Sequence, residues 1–212
     1  MAERGFALIE VLISSAITLF IVAAAMTLVS TVERAYSFEL NDAAAQQETR
    51  LAVEWIKRTI SVAGSNPYSL TISACPVTDT AFAAIRLDPD EDGLDDDIRV
   101  QADINPPNGL LLGKVFGECD EEGEDVTIGY DPATRALTRR DAALDRTALP
   151  VTDGIFTALR FRYMSATRVE TRTPEAIRFV QVMVATESRS PNPYTGRPRT
   201  FSTTSEIRLR AR

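Results

Sequence analysis

A run of carboxylates in the middle of the chain has the composition of a cation-binding loop. Residues 88–97 read DPDEDGLDDD and hold seven acidic side chains in ten positions. Asp88, Asp90 and Asp92 occupy alternate positions before a glycine, the order in which a calcium loop presents its first oxygen ligands and then turns sharply. Asp96 falls at the ninth position of the same pattern. We therefore interpret Asp88, Asp90, Asp92 and Asp96 as candidate ligands of a Ca²⁺ ion.

The same loop departs from a complete EF-hand. Its twelfth position, where a bidentate glutamate is required, is Arg99, and helical segments do not flank it. Two alternatives follow: a solitary site closed by another acid, or a solvated acidic loop. A second acidic run, residues 118–125, holds six acids in eight positions, and we interpret it as a solvated loop.

Composition excludes several classes of function. The chain has no histidine, which excludes Ser-His-Asp and Cys-His catalysis and histidine-ligated zinc. It has 30 acidic and 23 basic residues, for a net charge of −7, whereas proteins that bind a phosphate backbone are usually basic. We expect no catalytic residues, no nucleic-acid partner and no small-molecule substrate.

The N-terminal segment places an acid inside an apolar run. Residues 6–29 read FALIEVLISSAITLFIVAAAMTLV, with Glu10 as the one charged residue and no glycine or proline. As a helix the segment is about 36 Å long, enough to cross a hydrocarbon core of about 30 Å. A carboxylate in lipid costs a few kcal/mol unless it is paired, so Glu10 is a functional hypothesis whose expected partner is a cation. The alternatives are a plain membrane anchor, a signal peptide cleaved at Ala23–Ala25, and a helix later packed in an assembly, and the acid inside the run disfavours the first two.

Residues 5–10, GFALIE, resemble the cleavage and methylation signature of type IV pilins and of the pseudopilins of type II secretion. The resemblance implies that prepilin peptidase cuts after Gly5 and N-methylates Phe6. It implies that Glu10 then pairs with the N-terminal amine of a neighbouring subunit during assembly. Residues 1–5 would be the leader and residues 6–29 the transmembrane and assembly helix.

Longer stretches resemble one branch of that family. Residues 50–64, 123–140 and 196–210 are similar to PilW-like minor pilins, to which the type II secretion pseudopilin J is related. This resemblance implies a minor pilin that helps to initiate fibre assembly. Its partners would be other minor and major pilins, prepilin peptidase and the inner-membrane assembly platform.

The same resemblance implies a location, and two alternatives to the role stay open. The chain would lie in the inner membrane with a periplasmic head and then move into an extracellular pilus fibre. A J-like pseudopilin of a secretion system is the alternative within the family. A secreted calcium-binding module, cut near Ala25, is the alternative outside it.

The elements that position these residues follow from periodicity. Apolar residues recur every three or four positions after Val29, and Gly64 ends the pattern, which predicts one helix over about residues 6–63 with residues 30–64 as its amphipathic half. Two helices with a hinge at residues 30–33 are the alternative. The predicted core stripe comprises Val32, Tyr36, Leu40, Ala44, Gln47, Leu51 and Trp55, widened by Val53, Ile56 and Ile60.

Beyond Pro67 the apolar pattern changes to period two, which indicates strands. The predicted strands cover residues 98–104, 155–163, 176–186 and 200–210, with Ile155, Thr157, Leu159, Phe161 and Tyr163 on one face. We therefore predict an α+β protein in which a long N-terminal helix packs on an antiparallel β-sheet head, residues 65–212.

The two cysteines, Cys75 and Cys119, form a candidate disulfide. If the anchor places the head outside the cytoplasm, an oxidising compartment favours their pairing. Closing a loop of about 45 residues would add roughly 4 kcal/mol in the chain-entropy description of a cross-link.

Overall fold

The computed structural model describes residues 8–65, 83–102, 104, 122–142, 144 and 147–209. The α+β prediction is confirmed: a long N-terminal helix packs on antiparallel sheets. The elements are α1 (Leu8–Ser61), β1 (Ile85–Leu87), β2 (Ile98–Gln101), β3 (Asp125–Asp131), β4 (Ala136–Asp141), β5 (Leu149–Pro150), β6 (Phe156–Met164), a 3₁₀ turn (Pro174–Ala176), β7 (Phe179–Glu187) and β8 (Thr200–Arg208).

Helix α1 is continuous through residues 30–33, where the alternative prediction placed a hinge. It runs for 54 residues, about 81 Å at 1.5 Å per residue, because residues 6–63 contain neither glycine nor proline. Gly64 follows its end with a φ of +77°, a conformation that glycine adopts without a Cβ penalty. The Gly64 amide donates to the carbonyl of Gln101 at 3.0 Å and so fixes the helix end to the sheet.

The buried face of α1 differs from the predicted stripe. Val32, Tyr36, Leu40 and Leu51 were predicted to be core and are exposed, so that part of the prediction is wrong. Tyr36 and the buried Phe38 are two positions apart, about 200° around a helix, so they lie on opposite sides. The residues buried on α1 are Phe38, Asp42, Ala45, Thr49, Ala52, Val53, Ile56 and Ile60.

Polar partners explain why the sequence pattern misassigned this face. The carboxylate of Asp42 accepts a hydrogen bond from Arg199 at 2.9 Å, and the hydroxyl of Thr49 lies 2.7 Å from that of Thr186 on β7. These contacts offset part of the cost of burying the two polar groups, while Oδ1 of Asp42 has no hydrogen-bond partner among the described residues. A periodicity argument treats them as surface residues and rotates the core stripe away from them.

The described residues of the head form two antiparallel sheets, where the sequence predicted one. The first has the order β1-β2-β3-β4-β5 and the second β6-β7-β8. Helix α1 packs on β7 and β8, and β6 contacts β3 and β4. One apolar core joins helix and both sheets, with Ile56, Ile98, Leu137, Phe156 and Val182 among its fully buried members.

Strand bounds and facing depart from the simple alternation at two places. In β6 the register with β7 shifts between Phe156 and Ala158, so Ile155 and Phe156 are both buried and Thr157 is exposed, contrary to prediction. All four residues of β2 are buried, because this strand lies inside the five-stranded sheet with side chains covered on both faces.

Candidate functional site

The first half of α1 projects from the head with its apolar side chains uncovered. Fourteen large hydrophobic residues between Leu8 and Val32 have 47–79% of their surface exposed. The helix is long and apolar enough to cross a membrane, and none of its most apolar stretch is buried. An N-terminal signal sequence would have a similar length and composition. Glu10 lies in the first turn of this helix and is exposed, whereas the predicted processing residues Gly5 and Phe6 lie outside the described residues.

The acidic loop joins β1 to β2, and strand pairing brings its two ends together. Leu87 pairs with Ile98, so Asp88 and Asp97 extend from neighbouring positions of one ladder. One carboxylate oxygen from each of Asp88, Asp90 and Asp97 lies within 4.8 Å of those of the other two. The structure thus brings three acids of this loop to one point.

Hydrogen bonds within the loop set the direction of its carboxylates. Asp88 accepts from the amides of Asp92 and Gly93, both at 3.0 Å. Asp92 in turn accepts from the amide of Leu94 at 2.7 Å. Gly93 has a φ of +83°, which allows the turn that this arrangement requires.

The cluster shares two residues, Asp88 and Asp90, with the predicted ligand set, and Asp97 is its third member. Asp92 and Asp96 lie outside the cluster, and their role as Ca²⁺ ligands stays a prediction. The calcium-loop pattern counts positions along the chain, whereas the pairing of β1 with β2 decides which carboxylates meet. Asp97, directly before the strand, could have been found by asking which acid lies opposite Asp88 in a hairpin.

Burial and like charge both act on Asp97. Burial, followed by the negative charges of Asp90 and Asp88, raises the pKa of Asp97 to about 7. Burial and the charge of Asp92 also raise the pKa of Asp96 above its ordinary value. Burial and the neighbouring carboxylates therefore both favour the protonated form of Asp97.

A cleft of about 420 Å³ adjoins the loop. Its lining includes four carboxylates, those of Asp90, Asp92, Asp96 and Asp97. Apolar residues such as Leu94 and Pro132, and the cationic Arg140 of β4, line other parts of it.

The second acidic run is not simply a solvated loop. Its last two residues, Glu124 and Asp125, are buried, so the prediction is wrong for them. Arg99 donates through Nε and Nη2 to the two oxygens of Asp125 at 2.7 and 2.5 Å, and Gln101 donates to the same carboxylate at 2.9 Å. Arg99 thus ties β2 to β3 by a bidentate ion pair.

The candidate disulfide residues, Cys75 and Cys119, both lie outside the described residues. Comparison of the chain with protein-family models, curated proteins and solved structures gave no match. The resemblance of residues 5–10 to the pilin signature stays a prediction from those residues. The structure adds that the segment directly after them is a helix, exposed in its first half and packed on a β-rich head in its second.

Proposed function

We propose that the chain is a minor pilin of a type IV pilus, processed at Gly5–Phe6 and inserted into the fibre through the first half of α1. The proposal rests on one observation: α1 is unbroken, its first half is apolar and exposed, and its second half packs in the core of the head. Full burial of a large apolar side chain is worth about 1.5–3 kcal/mol, and the fourteen between Leu8 and Val32 are 47–79% exposed, so covering them would contribute on the order of 10–25 kcal/mol. In a pilin, lipid surrounds these apolar side chains before assembly, and the helices of neighbouring subunits pack against them afterwards.

The continuity of α1 supports a fibre role over ordinary secretion. Ala23–Ala25, the alternative cleavage site, lie in mid-helix, where the Thr27 hydroxyl donates to the Ala23 carbonyl at 2.9 Å. An unbroken helix rigidly connects its exposed first half, which would enter the fibre, to the head, as an assembling subunit requires. Cleavage there would discard most of the apolar surface that the helix presents.

Glu10 gives the proposal its specific chemistry. In a bundle of helices sealed from water, a carboxylate is stable when a cation faces it. A methylated Phe6 amine keeps its positive charge and would supply that cation from a neighbouring subunit. The partners in this proposal are other minor and major pilins, prepilin peptidase, the inner-membrane assembly platform and the membrane itself.

Mass spectrometry of the N-terminal peptide tests the processing step. Protein co-expressed with a prepilin peptidase should begin at N-methylated Phe6, and Gly5→Leu should leave Met1 in place. Ala25→Leu is the matched control, because it blocks ordinary signal cleavage and should leave the Phe6 start unchanged. A mature chain that begins at Met26, or an intact Met1 in the unaltered protein, would refute the proposal.

Fibre incorporation tests the role of Glu10. In cells that make the fibre, Glu10→Gln should lower the share of the protein in the sheared fibre fraction by tenfold or more, with membrane levels unchanged. Glu33→Gln, an exposed acid beyond the apolar run, should behave like the unaltered protein. Equal incorporation of both variants would refute the assembly role. A deletion that blocks protein secretion and leaves surface pili intact would favour the J-like pseudopilin.

A further inference from the structure

Three carboxylates meet where the β1–β2 connection closes. Asp88 and Asp90 follow β1, and Asp97 directly precedes β2. One oxygen of each lies within 4.8 Å of the others. Oxygens at this spacing are within reach of one ion whose Ca–O distances are about 2.3–2.6 Å. The three positions come from both ends of the loop, so the ladder between β1 and β2 holds them in place.

Asp97 is buried, unlike the acids of an ordinary solvated loop. Only 7% of the surface of Asp97 is exposed, and its Oδ1 has no hydrogen-bond partner among the described residues. A buried carboxylate ordinarily has hydrogen-bond donors or a counter-charge, because removing it from water is costly. The groups that face Asp97 from the loop are the carboxylates of Asp88 and Asp90, which add negative charge rather than neutralise it.

The five-stranded sheet borders this buried acid. Gly129 on β3 lies beside Asp97, and a Cβ at position 129 would be 3.4 Å from the Asp97 Cβ and 3.3 Å from Oγ1 of Thr138. A side chain there would be in van der Waals contact with Asp97 and tight against Thr138, so position 129 borders the Asp97 side chain directly. A glycine inside a strand weakens it, and close approach by another group is a common reason for its presence.

We propose that Asp88, Asp90 and Asp97 bind a Ca²⁺ ion at the β1–β2 connection. The donors are carboxylate oxygens throughout, which suit a hard cation, and the chain has no histidine to favour a transition metal. Ca²⁺ tolerates irregular coordination by six to eight oxygens, whereas Mg²⁺ demands a near-octahedral set. The adjoining cleft leaves space for water molecules as the remaining ligands.

The neighbouring acid Asp95 has a different task. Nη2 of Arg172 lies 2.6 Å from both oxygens of its carboxylate, and its backbone carbonyl accepts from the Phe161 amide at 2.7 Å. Asp95 therefore holds the loop to the three-stranded sheet and is not a ligand. Glu91 is the matched control instead, because it lies in the same loop, carries the same charge, is exposed and lies outside the cluster.

Thermal unfolding and calorimetry of the full chain in detergent, after chelator treatment, test the site. Three carboxylates with water predict a Kd of about 10⁻⁴–10⁻³ M, in the range of weak calcium modules. At 10 mM CaCl₂ the melting temperature should then rise by roughly 3–10 °C. MgCl₂ at the same concentration should give less than half of that rise, and NaCl of equal ionic strength should give none.

Two substitutions and one control make the result specific. Asp97→Asn and the exposed Asp90→Asn should each remove most of the calcium-induced rise and weaken binding by tenfold or more in calorimetry. Glu91→Gln should retain both the rise and the affinity. The proposal is overturned if Glu91→Gln loses as much as the other two, if Asp97→Asn and Asp90→Asn keep the full response, or if MgCl₂ and CaCl₂ act equally. Those results would mean that cations merely screen the charge of the loop. The fibre role does not depend on this outcome, because N-terminal processing is measured separately.

Discussion

Ile56→Ala is the substitution that most directly tests which face of α1 packs on the head. Ile56 is 0% exposed and belongs to the core that joins the helix to both sheets. Leu51, five residues earlier, is 62% exposed and was part of the stripe predicted from the sequence. The two residues have side chains of the same size, so the comparison isolates burial.

The expected magnitude follows from the atoms removed. Replacing isoleucine by alanine deletes three carbons, worth about 0.8 kcal/mol each when they leave a fully buried position. The cavity that remains adds to this transfer cost, and measured losses for such changes are about 2–5 kcal/mol. For Ile56→Ala we expect a loss of about 3 kcal/mol, which corresponds to a fall in melting temperature of roughly 6–12 °C.

Trp55 provides a built-in probe for the measurement. It is the single tryptophan of the chain and is partly buried against the core. Urea unfolding of the full chain in a non-ionic detergent, followed by its fluorescence and by far-UV circular dichroism, would report the loss of helix–sheet packing. The two signals should give the same midpoint for each variant.

Leu51→Ala is the matched control, and we expect it to change stability by no more than about 0.5 kcal/mol. If Leu51→Ala destabilises the protein as much as Ile56→Ala does, the buried face assigned to α1 is wrong. The stripe read from the sequence would then be the correct one.

Three further single substitutions probe the head and the packing of α1 on it by the same unfolding assay. Asp125→Leu removes the carboxylate that holds Arg99 and should lower the free energy of unfolding by about 3–5 kcal/mol. The double variant Asp125→Leu, Arg99→Met should recover most of that loss. A double variant no more stable than Asp125→Leu alone would contradict the ion-pair explanation. Gly154→Ala would place a Cβ 2.7 Å from the Thr134 carbonyl oxygen and should cost about 1–3 kcal/mol, so an unchanged midpoint would refute that contact. Ala52→Leu overfills a position that is 4% exposed and should cost a similar amount, whereas a stabilised variant would show unfilled space beside the helix.

The sequence predicted α1 well because the features that determine a helix lie within a few positions of one another. An apolar run without helix breakers, followed by a glycine, determines a helix and its end with little help from the rest of the chain. Its burial was less predictable. Apolar residues occupy more than one side of the second half, and the packed side includes Asp42 and Thr49, whose partners Arg199 and Thr186 are more than 130 positions away.

The acidic loop shows the same division. Its composition alone predicted carboxylates arranged about a turn, and Asp88 and Asp90 do belong to the cluster. Asp97 joins them because β1 pairs with β2, and that pairing is a property of the folded sheet and not of the loop composition. Arg99 looked like a defect in a calcium loop, and its contact with Asp125 shows that it joins two strands instead.

The sequence by itself therefore determined the long helix, the apolar character of its first half and the charge of the β1–β2 loop. These properties depend on neighbours within a few positions, where periodicity, breakers and composition act directly. The tertiary structure decided which helix face is buried, where β6 shifts its register and which three carboxylates meet. Each of those outcomes depends on groups that are distant in the chain and become neighbours only when the strands pair and the helix packs on them.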